Sequence, residues 1–123
     1  MRNAIIAPVL SAALAVAALA AAGQACAHAR LLMGTPKNGA TVAAPKALTL
    51  RYSEEIVPAA SNVKVSGPSG AAVATGPLSL DGTKKIVTVP IAGALAAGVY
   101  HVAWHMKTED RHETDGSFAF TVK

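Results

Sequence analysis

Cysteine is all but missing from this chain. The single one, Cys26, lies in an N-terminal stretch that reads as a secretory signal. Residues 1–27 carry one charge, Arg2, then an almost wholly apolar, Ala-rich run from Ile5 to Ala22, then the small-x-small cleavage pattern Ala25-Cys26-Ala27. Cleavage after Ala27 leaves His28–Lys123 without any cysteine. That excludes disulfides, thiolate zinc sites, iron–sulfur clusters and a cysteine nucleophile. Aromatics are few: two Phe, two Tyr and one Trp. Basic residues are scattered, and Lys84-Lys85 is the only adjacent pair. A nucleic-acid surface needs a basic stripe with interleaved aromatics, so no nucleic-acid partner is expected. No glycine-rich phosphate loop and no nucleophile-elbow motif occurs. After residue 27 no stretch sustains a 3.6-residue apolar period.

The apolar run has two other readings. A membrane anchor needs about this length, but no cationic stop follows it. A lipoprotein would use Cys26, but Gly23 stands where such signals normally carry Leu. Residues 28–123 form one small domain, large enough for a modest core. They are too few for a Rossmann unit plus a substrate domain, or for a TIM barrel. Of eleven Lys/Arg, Arg2 falls in the leader, so ten face seven Asp/Glu and the exported chain is weakly basic.

Turn signals recur every eight to twelve residues, among them Thr35-Pro36, Asn38-Gly39, Val57-Pro58, Gly67-Pro68-Ser69-Gly70, Asp81-Gly82 and Asp115-Gly116. Strands are expected near 29–33, 47–52, 62–66, 71–75, 84–89, 98–106 and 117–122. About seven short strands at this spacing predict an all-β sandwich or barrel. Side chains of a strand alternate faces. Tyr100, Val102, Trp104 and Met106 therefore share the expected core face, as do Phe118, Phe120 and Val122, and Leu48, Leu50 and Tyr52. Such patterns fit two sheets packed face to face.

His28 is the sharpest chemical feature. At a new amino terminus it offers an α-amine and an imidazole Nδ1 that close a chelate ring on one metal. The amine has a pKa near ~8, so a strong Lewis acid displaces its proton at neutral pH. Such nitrogen donors suit Cu(II) and its tetragonal geometry. The second feature is Asp110-Arg111-His112. In an extended segment, residues i and i+2 point the same way, roughly 6.6 Å apart along the chain. A carboxylate and an imidazole at that spacing can converge on one ion. The plainer alternative is an acidic turn, since Glu109, Glu113 and Asp115 crowd the same region. His101 and His105 lie roughly 13 Å apart along one strand, so they cannot share a metal and are expected at the surface. Met33 and Met106 are isolated and fit as core or strand residues. Ser117, His112 and Asp110 carry no triad signature. The adjacent Glu54-Glu55 are poorly placed for a glycosidase pair.

These residues resemble the periplasmic copper-resistance protein C (CopC) family. The resemblance runs through nearly all of 28–123. It begins with His28, Leu31, Thr35-Pro36 and Gly39, and continues with Ala44-Pro45 and Leu48-Thr-Leu-Arg-Tyr-Ser-Glu54. Gly98-Val-Tyr100-His-Val-Ala-Trp104, Asp110-x-His112 and Gly116-Ser-Phe118-x-Phe120 complete it. It implies an all-β, Greek-key, Ig-like β-sandwich. It further implies Cu(II) held by the amine and imidazole of His28 with Asp110 and His112, and Glu54 beside the ion as a hydrogen-bonding and charge-tuning neighbour. Many members carry a Met-rich Cu(I) loop. The corresponding stretch here, roughly Ile56 to Pro77, has no Met, His or Cys, so a Cu(II)-only protein is expected.

The leading expectation is thus a non-catalytic periplasmic Cu(II) carrier or buffer. It would be a monomer that delivers copper to a CopD-like inner-membrane protein, a partner implied by the resemblance alone. Two other classes stand beside it. An N-terminal histidine chelate also resembles the copper site of lytic polysaccharide monooxygenases. Those sites keep a position open for oxygen, however, and 96 residues leave no broad flat surface for a polysaccharide. A metal-free Ig-like interaction module would require His28 not to be terminal.

Overall fold

The computed structural model describes residues 29–123; His28 lies outside the described residues. Nine strands and one 3₁₀ turn (Pro58–Ala60) follow the chain. The strands are β1 (Leu31–Thr35), β2 (Thr41–Val42), β3 (Ala47–Tyr52), β4 (Asn62–Ser66), β5 (Ala72–Val73), β6 (Ser79–Leu80), β7 (Ile86–Pro90), β8 (Gly98–Lys107) and β9 (Glu113–Val122). They form a four-stranded sheet of order β1-β3-β7-β6 and a five-stranded sheet of order β2-β9-β8-β4-β5. Among the described residues no helix is long and apolar enough to cross a membrane.

The expected parity holds in three strands: Leu48, Leu50 and Tyr52 of β3, Tyr100, Val102, Trp104 and Met106 of β8, and Phe118, Phe120 and Val122 of β9 are all buried between the sheets. Val87 and Val89 of β7, not singled out in the sequence, join them. Alternate residues of one strand reach the same face, so each strand contributes a row to one shared core. Tyr100 stacks on Phe120 across the β8–β9 pair, with centroids 5.5 Å apart. Tyr52 meets Trp104 edge to face at 5.1 Å, joining the two sheets. Full burial of each such side chain contributes about 1.5–3 kcal/mol.

Three expectations need correction. The strands number nine rather than seven, because β2 and β6 are two-residue edge pairings too short to leave an alternation pattern. The first strand begins at Leu31 and is displaced by a bulge between Leu31 and Met33, which leaves Leu32 and Met33 about half exposed. Met33 is therefore no core residue, whereas Met106 is fully buried. The last strand starts at Glu113, four residues earlier than expected, so Asp115-Gly116 is not a turn. Gly116 pairs with Trp104 in mid-strand, and a Cβ there would collide with the indole ring. This glycine makes room for a neighbouring side chain; it does not mark a reversal.

Candidate metal centre

The β8–β9 connection carries two of the candidate ligands, Asp110 and His112. β8 ends at Lys107, and the chain turns back through Thr108–His112 before β9 begins. The Arg111 N–H donates to the Thr108 carbonyl at 2.9 Å, and the Thr108 N–H donates to the His112 carbonyl at 2.9 Å. Arg111 sits in the left-handed region at φ 70°, which is what allows five residues to close the loop. Asp110 and His112 are not on a straight strand, as their spacing suggested. The tight turn brings them together directly: Asp110 Oδ2 lies 3.1 Å from His112 Nδ1.

That separation has chemical meaning. Two donors each ~2.0 Å from one ion, on adjacent corners of a square, stand roughly 2.8 Å apart. The Asp110 carboxylate and the His112 imidazole are thus already near chelating distance. The Thr108 hydroxyl hydrogen bond, followed by the His112 contact, holds the Asp110 carboxyl below the usual carboxylate range. Asp110 is therefore an anion at neutral pH, as a ligand to a divalent cation must be. Among the described residues, no third His, Asp or Glu converges with these two to enclose an ion.

Glu54 is partly buried just past the end of β3. It shares a shallow depression of about 220 Å³ with Glu55, Lys85, Thr108, Glu109 and Asp110. The carboxylates of Glu54 and Asp110 therefore open on the same space, while His112 is not part of that lining. A larger cleft of about 440 Å³ lies between β1 and Phe118. It has Lys37 as its one charged side chain and no carboxylate or imidazole.

The first described residues reach the same corner. Ala29 is buried, and its carbonyl accepts from Thr114 Oγ1 at 3.3 Å. The Arg30 N–H donates to Ser53 Oγ at 2.9 Å, and the Ser53 N–H donates to the Arg30 carbonyl at 3.0 Å. Residues 29–30 are thus pinned between the residue preceding Glu54 and a residue two beyond His112.

Other candidates separate clearly. His101 is exposed on β8. His105 is held by two carboxylates of β9: Nδ1 lies 2.6 Å from Asp115 and Nε2 lies 3.0 Å from Glu113. The carboxylates sit at opposite ring nitrogens, so the three groups cannot face a single ion. Ser117 lies five residues along from His112, roughly 16 Å of strand, which removes any triad. Thr108 went unnoticed in the sequence. It is buried at 1% exposure and bonded to the loop on every side, and the one available signal was its place two residues before Asp110.

This is a two-sheet β-sandwich with a carboxylate–imidazole corner at the loop joining its two longest strands. The chain belongs to the CopC family: the model of the CopC domain matches residues 31–123. It is 38% identical over 99 residues to Protein YobA of Escherichia coli K12, covering 79% of this chain and 80% of that protein. To Copper resistance protein C of Xanthomonas campestris pv. juglandis it is 32% identical over 117 residues, covering 88% and 90%. Among solved structures it is similar to PcoC, a methionine-rich copper resistance protein from Escherichia coli. There the TM-score is 0.70 and the identity 29%, with 79% of this chain and all of that chain covered.

Proposed function

We propose that the protein is a non-catalytic, exported Cu(II) carrier or buffer, acting in the periplasm in copper resistance or homeostasis. Family membership supports copper as the cargo. The observation that carries the oxidation state is the donor set: a carboxylate oxygen and an imidazole nitrogen at 3.1 Å. Oxygen and nitrogen donors at adjacent corners of a square suit Cu(II), whereas Cu(I) favours thioether and thiolate sulfur. The stretch from Ile56 to Pro77 has no Met, His or Cys, in contrast with the relative described as methionine-rich.

In this reading His28 completes the site with its α-amine and Nδ1. The support is positional. Ala29 is anchored beside Thr114, so the residue bonded to it is one peptide from the corner that holds Asp110 and His112. Signal cleavage after Ala27 creates the amine. Glu54 lines the adjoining depression and adds negative charge beside the ion, lowering the cost of bringing in a dication. A bound ion would be passed on by ligand exchange to a membrane protein of the CopD type. In this reading the protein carries out no catalytic step and acts as a monomer.

The test is Cu(II) titration followed by EPR on two exported forms, one beginning at His28 and one beginning at Ala27. The first is expected to bind tightly with a nitrogen-rich type 2 spectrum and the second far more weakly, because its imidazole remains but its amine is displaced. Equal binding by both would remove His28 as a terminal ligand. Sub-micromolar Cu(I) binding would remove the Cu(II)-only assignment.

A further inference from the structure

We propose that Thr108 is a positioning residue that makes Asp110 a one-oxygen ligand, tying Oδ1 into the loop and leaving Oδ2 to face the ion beside His112. The proposal rests on the Cu(II) reading above. It starts from burial. Thr108 is the one polar residue among the buried side chains of the described structure, at 1% exposure. A buried hydroxyl left without partners costs more than a hydrogen bond contributes, so the partners that Thr108 finds matter.

Here every polar group of Thr108 turns inward to the loop. Its N–H donates to the His112 carbonyl, and its carbonyl accepts from the Arg111 N–H. The hydroxyl lies against Asp110 Oδ1, the His112 N–H and the His112 carbonyl, the last two each at 3.2 Å. A hydroxyl has one proton and two lone pairs. The proton goes to the carboxylate, the stronger acceptor, because the His112 carbonyl is already served by the Thr108 N–H. A lone pair then accepts from the His112 N–H. One side chain thus holds both ligand residues at once: Asp110 through its carboxylate and His112 through its backbone.

The consequence concerns coordination. A carboxylate with two free oxygens can wrap a cation and take two positions. With Oδ1 turned to Thr108, Oδ2 is the oxygen that faces His112, 3.1 Å from its Nδ1. One oxygen and one nitrogen then take adjacent corners, leaving the other two positions of a square to the terminal chelate. A cation that prefers many oxygens and bidentate carboxylates, such as Ca²⁺, gains little from this arrangement.

The experiment compares wild type with Thr108→Val and Thr108→Ser. Valine keeps the shape and removes both the donor and the acceptor; serine restores them. Thr108→Val is expected to weaken Cu(II) affinity by roughly 10–100-fold, as loss of an outer partner of a metal ligand does, and to shift g∥ and A∥ in the EPR spectrum. Thr108→Ser is expected to recover the wild-type spectrum. In the metal-free protein, Thr108→Val should speed amide exchange at His112 while leaving β3 and β7 protected. Wild-type affinity and spectrum in a folded Thr108→Val protein overturn the proposal. If Thr108→Val does not fold, an altered spectrum in Thr108→Ser does the same. If wild type itself fails to bind Cu(II), the copper reading falls. Unchanged His112 exchange in metal-free Thr108→Val would then show independently that Thr108 does not hold the loop.

Discussion

Tyr52 ends the alternating row Leu48, Leu50, Tyr52 and is buried in the core. Alternation says nothing of partners. Among the described residues the Tyr52 hydroxyl and Trp104 Nε1 are buried with no hydrogen bond, and burial pushes the Tyr52 phenol well above its ordinary value. An unmatched buried hydroxyl opposes folding, by about 1–3 kcal/mol in typical cases. Tyr52→Phe keeps the edge-to-face contact with Trp104 and removes the orphan oxygen. We expect its stability in urea to equal or exceed wild type. A loss greater than about 1 kcal/mol would show that the hydroxyl has a stabilising partner. The same limit explains why Thr108 was missed: a threonine two residues before an aspartate is unremarkable until a tight turn folds its hydroxyl against that carboxylate.

At the scale of elements, the β8–β9 hairpin decides most of what the sequence could not. Its register pairs His105 with Asp115 and Trp104 with Gly116. Reading Asp115-Gly116 as a turn hid both pairs, because a glycine beside an aspartate carries the same local signal whether the chain reverses or a neighbouring ring needs room. Gly116→Ala is therefore expected to cost about 1–3 kcal/mol, since the added methyl meets the Trp104 ring in a packed sheet. A shifted Trp104 fluorescence maximum should accompany the loss. A neutral Gly116→Ala would mean that the indole moves aside freely.

The same hairpin holds an electrostatic clip. Bonds to Asp115 and then Glu113 raise the His105 pKa above its ordinary value, so the imidazolium is favoured in the folded chain. A raised folded pKa gives stability that is fully present below the unfolded value, near ~6.5, and lost as pH rises through the folded value. Metal-free wild type should therefore lose stability across that window. His105→Gln, which cannot titrate, should show a flatter profile there. Identical slopes would assign the pH dependence to another group. The groups are solvent-accessible, so raising the salt concentration should weaken the effect.

For the whole molecule, the sandwich was legible because half-buried antiparallel strands write a two-residue period into the chain, and the core rows of β3, β8 and β9 follow that period. The site was legible only as a list. Asp110 and His112 stood out as residue types, but what joins them to residues 29–30 and to Glu54 is tertiary: the buried Ala29 against Thr114, and Arg30 against Ser53. An ion held by His28, Asp110 and His112 would clasp the beginning of the domain to the loop between its two longest strands, across most of the sequence. Only the folded chain brings all of these ligands to one ion, so the excess of its affinity over that of the unfolded chain appears as stability. At a free concentration a thousandfold above Kd it adds about 4 kcal/mol. In a domain of this size that corresponds to a rise in Tm on the order of 15 °C or more. Cu(II) should produce this rise in the protein beginning at His28, and a chelator should reverse it. Asp110→Asn, His112→Ala and the form beginning at Ala27 should each lose most of it. An undiminished rise in a combined Asp110→Asn, His112→Ala variant would place the copper elsewhere on the molecule. Loss in all three variants would instead require one shared ion, because His28 lies more than eighty residues from Asp110 and His112 and only the fold can bring them together.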